Sequence, residues 1–180
     1  MEFLNTVKSH IPDYAKDIRL NLDAVLARSS LDKADALGAA LAAAYAAGSR
    51  AITDAIRGSG ELSEADTSAA LAAAALMGMN NVWYPYVEMA DDEDLRTQRA
   101  ELRMNVYATH GGVDKKRFEL FALAASIVGK CRFCVASHYK MLKEKGLSAQ
   151  QLRDVGRIAS VVTAAANVLT VEGASAPPSP

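Results

Sequence analysis

The sequence predicts an all-α protein, and three observations lead to that class. Ala, Leu, Lys, Glu and Arg dominate the chain, and its clusters of β-branched residues are short. Apolar residues recur at spacings of three and four, as in Leu71, Ala75, Leu76 and Met79, which is the period of an α-helix. No segment shows a convincing strand pattern. We therefore expect helices throughout, joined by short loops.

Start and stop signals predict where the main helices lie. Small polar residues are favoured at helix N-termini because their side chains accept hydrogen bonds from free backbone N–H groups, and Gly is favoured just after a helix. In chain order the signals are Pro12-Asp13 for the first helix, Asp32 for the second, Ser63 with Asp66 for the third, Asp114 for the fourth, Gly146 for the end of the fifth, and Ser148 with Gln151 for the last.

The chain has the length of one domain, and no interdomain linker is visible in its 180 residues. We expect a single helical domain over residues 1–172. The end of the chain, residues 173–180, is rich in Ala, Ser and Pro, and we expect it to be a disordered tail. The Ala-rich stretches 38–47 and 69–75 favour close helix packing within the domain, with subunit contact as the alternative for part of them.

A shift of 51 residues aligns parts of the chain with one another, which suggests an internal helical repeat. Chance similarity is the alternative, since Ala-rich helices resemble each other. The shift lays Ala73, Ala74 and Gly78 over Ala124, Ala125 and Gly129.

Charge and hydropathy exclude several classes of partner. The net charge is −1, from 20 basic and 21 acidic residues with no basic block, so neither nucleic acid nor an anionic membrane surface is an expected partner. The N-terminus has no basic segment followed by an apolar one, and no apolar run approaches the ~20 residues of a membrane span. We expect a cytoplasmic protein, where a pair of nearby cysteines is more often catalytic or metal-binding than structural.

The two cysteines of the chain form a Cys-Arg-Phe-Cys sequence, followed by a histidine one helical turn later. On a helix, Cys131, Cys134 and His138 would share one face. The two cysteine Cα atoms would lie about 5 Å apart, within the range that a disulfide accepts. A helix N-terminus near Gly129, together with nearby Lys130, would stabilise a thiolate.

Glu119 joins this group only if the helix breaks before the cysteines. Twelve residues of continuous helix would place Glu119 about 18 Å from Cys131, too far for proton transfer. Gly129 is the natural breaking point, and a helical hairpin there would bring the carboxylate alongside the sulfurs. On burial statistics alone, Glu119 would be a solvated surface residue.

Other interpretations of the cysteines are weaker. A thioredoxin fold requires a strand before its cysteine pair, and the preceding residues here read as helix. A zinc site formed by Cys131, Cys134, His138 and Glu119 is possible but unusual for this set of ligands. Two inert buried thiols would leave the shared face with His138 unexplained. Redox chemistry is therefore favoured over zinc binding, and zinc binding over inert thiols.

An aromatic cluster at Trp83, Tyr84 and Tyr86 has two interpretations. We predict that these side chains belong mainly to the core. The alternative is that they wall a substrate pocket.

These residues resemble the AhpD-type alkylhydroperoxidases of the carboxymuconolactone decarboxylase-like superfamily, from about Ile11 to Leu169. The cysteine pair with its histidine is shared across the superfamily, whereas three further segments are specific to the AhpD type. The matching segments are Glu119-x11-Cys131-x2-Cys134-x3-His138, residues 12–22 (PDYAKDIRLNL), residues 77–82 (MGMNNV) and residues 102–105 (LRMN).

The resemblance implies an all-α, AhpD-like helical domain with an internal helical repeat, assembled as a homotrimer. It implies an antioxidant disulfide reductase that also reduces organic hydroperoxides and needs no bound cofactor. The implied partners are an AhpC-type peroxiredoxin, which receives electrons, and a lipoylated dihydrolipoamide acyltransferase, whose dihydrolipoamide group is the reductant.

The resemblance also assigns roles to residues. Cys134 would be the peroxidatic nucleophile and Cys131 the more exposed resolving thiol, and the two would form the redox disulfide. His138 and Glu119 would form a proton relay. One departure is Phe133, which stands where the mycobacterial-type pattern has a second histidine, so this position supplies no proton donor for the peroxidase step.

Two alternative functions remain open at this point. One is an electron-transfer adaptor without significant peroxidase activity of its own. The other is a decarboxylase-like member of the superfamily, which should not depend on a thiol pair.

Overall fold

The structure is a computed structural model that describes residues 1–173, and within them it contains helices and no strand. The predicted all-α class is confirmed. From residue 174 onward, the predicted disordered tail lies outside the described residues. The α-helices are α1 Asn5–Ser9, α2 Lys16–Ala27, α3 Lys33–Ala46, α4 Arg50–Gly58, α5 Glu64–Ala90, α6 Glu93–Thr97, α7 Val106–Thr109, α8 Lys115–Val128, α9 Arg132–Glu144 and α10 Ala149–Val171.

The strongest start signals are confirmed by side-chain hydrogen bonds. The side chains of Ser63, Asp114 and Ser148 each accept a hydrogen bond from the backbone N–H three residues further on. Ser148 and Gln151 complete a reciprocal capping box at the start of α10. These bonds satisfy N–H groups that have no partner within the helix.

Other boundaries differ from the prediction. A 3-10 turn at Asp13–Ala15 follows Pro12, so α2 begins only at Lys16. The start and stop signals do not predict α4, whose N-cap Ser49 accepts a hydrogen bond from the N–H of Ile52. They also do not predict the short helices α1, α6 and α7, which lack the length to show a helical period.

The centre of the core lies where α3 packs against α5, α8 and α10. Every residue from Ala39 to Ala44 is fully buried, which confirms that this Ala-rich stretch packs within the domain. At Gly38 the helices approach so closely that a Cβ atom would lie 2.2 Å from the ring of Phe121. Small side chains therefore set the spacing between α3 and α8.

Arg117 ties together the N-terminal ends of three core helices. Its Nε donates to Asp35 of α3 at 2.7 Å, and its Nη1 donates to Asp66 of α5 at 3.0 Å. Arg117 and Asp66 lie 51 residues apart, as do the N-cap residues Ser63 and Asp114. The starts of α5 and α8 thus agree with the offset of the predicted repeat.

The helix α10 corrects one expectation from the sequence. By length and composition alone, Ala149–Val171 is apolar enough to cross a membrane. In the structure, however, α10 packs against α2, α3 and α8 and buries residues such as Val155, Ile158 and Val162 completely. Its apolar character is therefore accounted for by the core.

Candidate redox site

The helices α8 and α9 form a hairpin around a tight turn at residues 129–131. Gly129 ends α8 with φ −72°, Lys130 takes the left-handed conformation with φ +55°, and Cys131 is the N-cap of α9. The predicted break is confirmed, but the positive φ lies at Lys130. Gly129 is needed for a different reason, because a Cβ atom there would lie 2.1 Å from the side-chain nitrogen of Asn81.

Cys131 and Cys134 are joined by a disulfide across the first turn of α9. Their Cα atoms lie 5.3 Å apart, close to the helical spacing predicted from the sequence. As the N-cap, Cys131 also accepts a hydrogen bond at its Sγ from the N–H of Cys134, at 3.2 Å. Both sulfurs therefore lie at the positive end of the α9 dipole, where a thiolate is stabilised.

The expectation that Cys131 is the more exposed of the two cysteines is wrong for this disulfide form. Cys131 is 0% exposed and Cys134 3% exposed. Cys131 nevertheless lines a cavity of about 560 Å³, together with Ile127, Lys130 and Val135, and Cys134 is not among the residues that line it.

Glu119 and His138 meet inside the hairpin. The Oε2 of Glu119 on α8 lies 2.6 Å from the Nδ1 of His138 on α9, and both residues are buried. The prediction from burial statistics, that Glu119 is a solvated surface residue, is therefore wrong. The fold brings all four predicted site residues to one hairpin.

The second nitrogen of His138 contacts a residue that the sequence analysis did not assign to the site. His138 Nε2 lies 3.2 Å from the Sδ of Met77, a fully buried residue of α5. Within residues 1–173 there is no hydrogen bond between His138 and either cysteine sulfur. The structure thus contains the Glu119–His138 contact that the predicted relay requires, whereas a contact from His138 to Cys134 is not made in the disulfide form. Met77 lies in residues 77–82, a segment that the sequence shares with the AhpD type. That shared segment was the one sequence signal that Met77 could belong to the site.

Tyr107, from α7, is a second residue that the sequence analysis missed. Burial, followed by the negative charge of nearby Glu119, raises the pKa of Tyr107 to about 12, and the polar side chain of Asn80 opposes this rise only in part. Tyr107 therefore stays protonated at neutral pH. It is an uncharged neighbour of the carboxylate and cannot act there as a base.

The aromatic cluster of α5 walls a cavity, so its assignment to the core is wrong. Tyr86 is half exposed, and Trp83 and Tyr84 line a cavity of about 650 Å³ next to the start of α9. Phe133, between the two cysteines, stacks on Tyr84 with ring centroids 4.3 Å apart. Phe133 therefore forms part of the wall of this cavity.

Metal binding finds no support in the described part of the chain. Residues 1–173 contain no group of three or more His, Cys, Asp or Glu side chains arranged to hold a metal ion. The two sulfurs form a covalent disulfide bond, and Glu119 is hydrogen-bonded to His138. The arrangement is that of a thiol-disulfide couple with an acid-base pair beside it.

An all-α domain with a buried CxxC disulfide at a helix N-terminus defines a class of helical thiol-disulfide proteins, and sequence comparison places the chain within it. Residues 93–175 match the carboxymuconolactone decarboxylase family. Alkyl hydroperoxide reductase AhpD of Rhodospirillum centenum is 45% identical over 173 residues, 95% of this chain and 92% of that protein. AhpD of Maricaulis maris is 40% identical over 94% of this chain and 98% of that protein, and AhpD of Coxiella burnetii shows the same values. The chain belongs to the AhpD family of alkyl hydroperoxide reductases.

Proposed function

We propose that this protein is an antioxidant alkylhydroperoxidase and disulfide reductase that uses Cys131 and Cys134 as its redox couple. The observation that supports this most directly is the buried disulfide at the start of α9, with the Glu119–His138 pair one turn away. The helix N-terminus stabilises a thiolate electrostatically, and the Glu119–His138 pair places an acid-base group on the same hairpin.

In the peroxidase half of the proposed cycle, Cys134 is the nucleophile. Its thiolate attacks the terminal oxygen of an organic hydroperoxide, the O–O bond breaks, and the leaving alkoxide takes a proton from the His138–Glu119 relay. The products are an alcohol and a sulfenic acid on Cys134. The Cys131 thiol then condenses with the sulfenic acid, which releases water and forms the disulfide.

In the reductive half, a dithiol restores the couple. Dihydrolipoamide on a lipoylated dihydrolipoamide acyltransferase gives two electrons and two protons to the disulfide, and its own sulfurs become a disulfide. We assign Cys131 as the sulfur that this dithiol attacks, because Cys131 borders a cavity and Cys134 does not. The reduced pair then passes electrons to a hydroperoxide or to the disulfide of an AhpC-type peroxiredoxin.

The decisive experiment measures peroxide consumption with dihydrolipoamide as the reductant. Cys134→Ser should abolish it, whereas Ser137→Ala, at an exposed position of the same helix, should leave it unchanged. A Cys134→Ser protein that still consumes peroxide at the wild-type rate would sink the assignment.

One observation favours a second function, that of an adaptor that only passes electrons between proteins. His138 has no hydrogen bond to Cys134 in this disulfide form, so the base needed for the peroxidase step is not in place. The same assay with and without added peroxiredoxin separates the two functions. Activity that requires the peroxiredoxin indicates the adaptor, and activity without it indicates the peroxidase. Turnover of a lactone acid that survives alkylation of both cysteines would instead indicate a decarboxylase-like enzyme.

We further propose that the protein is a cytoplasmic homotrimer. Val82, Tyr86 and Met89 lie on one side of α5 with 69%, 50% and 78% of their surfaces exposed, and such a row of apolar side chains is typical of a subunit contact. Light scattering on the purified protein should give the mass of three chains. Val82→Glu should reduce that mass, and a wild-type protein with the mass of one chain would contradict the trimer.

A further inference from the structure

Met77 is a buried thioether in contact with the histidine of the redox site. Its Sδ lies 3.2 Å from His138 Nε2, and no part of its side chain reaches solvent. The other ring nitrogen is already engaged by Glu119 at 2.6 Å. Both nitrogens of His138 are therefore in contact with partners other than the cysteine sulfurs.

The chemistry of the thioether restricts which form of the ring fits this contact. A methionine sulfur has no hydrogen to donate and is a weak acceptor. If Nε2 carried a lone pair, two buried electron-rich atoms would face each other at 3.2 Å without a proton between them. If Nε2 carries its proton, the contact is an N–H···S hydrogen bond. The protonated nitrogen is the one that fits. Because the contact between Nδ1 and the Glu119 carboxyl group also contains a proton, the Glu119–His138 pair then holds two protons.

We propose that Met77 is a positioning residue that holds His138 with Nε2 protonated, and therefore not basic, while the disulfide is closed. This role of Met77 goes beyond the proposed function. Only the reduction of the disulfide, described next, rests on the proposed function. In that step a reducing dithiol supplies two electrons, which break the Cys131–Cys134 bond, and two protons. One proton goes to Cys131 and the other to solvent, which leaves Cys134 as a thiolate.

The Cys134 thiolate is a stronger hydrogen-bond acceptor than the Met77 thioether. A charge-assisted hydrogen bond is roughly twice as strong as a neutral one, so Nε2–H should leave Met77 and donate to Cys134 when the disulfide opens. Cys134 and His138 lie four residues apart on α9, where side chains are neighbours. Met77 would thus mark the resting position of the ring, and the Cys134 thiolate its active position.

Nitrogen NMR of His138 tests the proposal directly. Protein with ¹⁵N-labelled histidine is examined in the disulfide form and after reduction with a phosphine, and long-range spectra show which ring nitrogens are protonated. We expect Nε2 of the wild-type disulfide form to be protonated, with a slowly exchanging proton. An unprotonated Nε2 in that form would overturn the proposal, and this outcome does not depend on any peroxidase activity.

Variants at position 77 separate positioning from simple packing. Met77→Leu keeps the volume but removes the acceptor, so the slowly exchanging Nε2 proton should be lost in the disulfide form and regained after reduction. Met77→Gln supplies a new acceptor and should retain the signal. Met79→Leu, the same change two residues further along α5, should give the wild-type spectrum. An unaltered spectrum for a folded Met77→Leu protein would contradict the proposal, and if that variant fails to fold, the wild-type spectrum decides.

Discussion

The helix α5 and the α8–α9 hairpin start 51 residues apart in the chain and then follow different paths. α5 continues for 27 residues through Gly78, where an added Cβ atom would meet no atom within 4 Å apart from its own helix backbone. At the equivalent position, Gly129, the second segment ends one helix and turns into the next. Without that turn, Glu119 and His138 would lie about 28 Å apart on one helix instead of 2.6 Å apart. The redox site therefore depends on a break that α5 lacks.

The largest expected effect comes from the carboxylate that the turn brings into place. Glu119→Gln keeps a hydrogen-bond acceptor for His138 Nδ1 but removes the charge that stabilises a protonated ring. Peroxide turnover at neutral pH should fall about 100-fold, the lower end of what general acid-base catalysis contributes. The measurement is a steady-state assay with dihydrolipoamide, and the control is Glu144→Gln at the exposed end of the same hairpin. Turnover within twofold of wild type would remove Glu119 from the relay.

The two equivalent glycines allow a test with opposite expected signs. In Gly129→Ala the new Cβ would lie 2.1 Å from the Asn81 amide and 2.8 Å from its Cβ, so Asn81 cannot simply swing its tip away. We expect a loss of about 1–3 kcal/mol in the free energy of unfolding, as for other overpacked sites. Gly78→Ala adds a methyl group that no other element of the same chain contacts. It should stabilise the protein by up to about 1 kcal/mol when both glycine variants are measured in the Val82→Glu background, which separates the proposed subunits.

Urea unfolding of both glycine variants measures this difference. If Gly129→Ala were as stable as Gly78→Ala, the close approach of α5 to the turn would not be a constraint on the hairpin.

The segment between α5 and α8 contributes Tyr107 to the site, and its effect is expected only at high pH. The folded state raises the pKa of this phenol to about 12, from about 10 in an unfolded chain. Above pH 10 the unfolded chain loses the proton first, so the free energy of unfolding should fall as the pH rises from about 10 to about 12.

The Tyr107 contribution is isolated by comparing slopes. Tyr107→Phe should show a shallower fall of stability between pH 10 and pH 12 than wild type, whereas Tyr45→Phe, at a half-exposed tyrosine, should show the wild-type slope. Equal slopes for all three proteins would mean that Tyr107 is not held in its neutral form by the fold.

The contrast between the two segments also explains how far the sequence could predict this site. Cys131, Cys134 and His138 lie within eight residues, so local helical spacing was enough to group them. Glu119 required the break at Gly129, for which a glycine in a helical pattern is a weak signal, and the resemblance to the AhpD type supplied the rest. Met77 could not be grouped with them from spacing, because its contact with His138 joins residues 61 positions apart.

The cavity wall shows a different limit of sequence analysis. Trp83 and Tyr84 have the composition of core residues, and only the folded chain shows that they face a space beside Phe133. An amphipathic pattern indicates which side of a helix is apolar, but a pocket wall and a core are both apolar. The distinction depends on whether another element covers that side of α5, which is a property of the tertiary structure.

The smallest expected effect concerns the residue that makes the turn possible. Lys130 has φ +55°, which costs a residue with a side chain about 1 kcal/mol or more, and glycine has no such cost. Lys130→Gly should therefore raise the free energy of unfolding by roughly 0.5–1 kcal/mol. Lys130→Ala is the matched control, since it removes the same charge at the same position but keeps the Cβ atom that makes this φ costly. Urea unfolding should show a higher free energy of unfolding for Lys130→Gly than for Lys130→Ala. Equal stability of the two variants would mean that the left-handed conformation of residue 130 costs nothing.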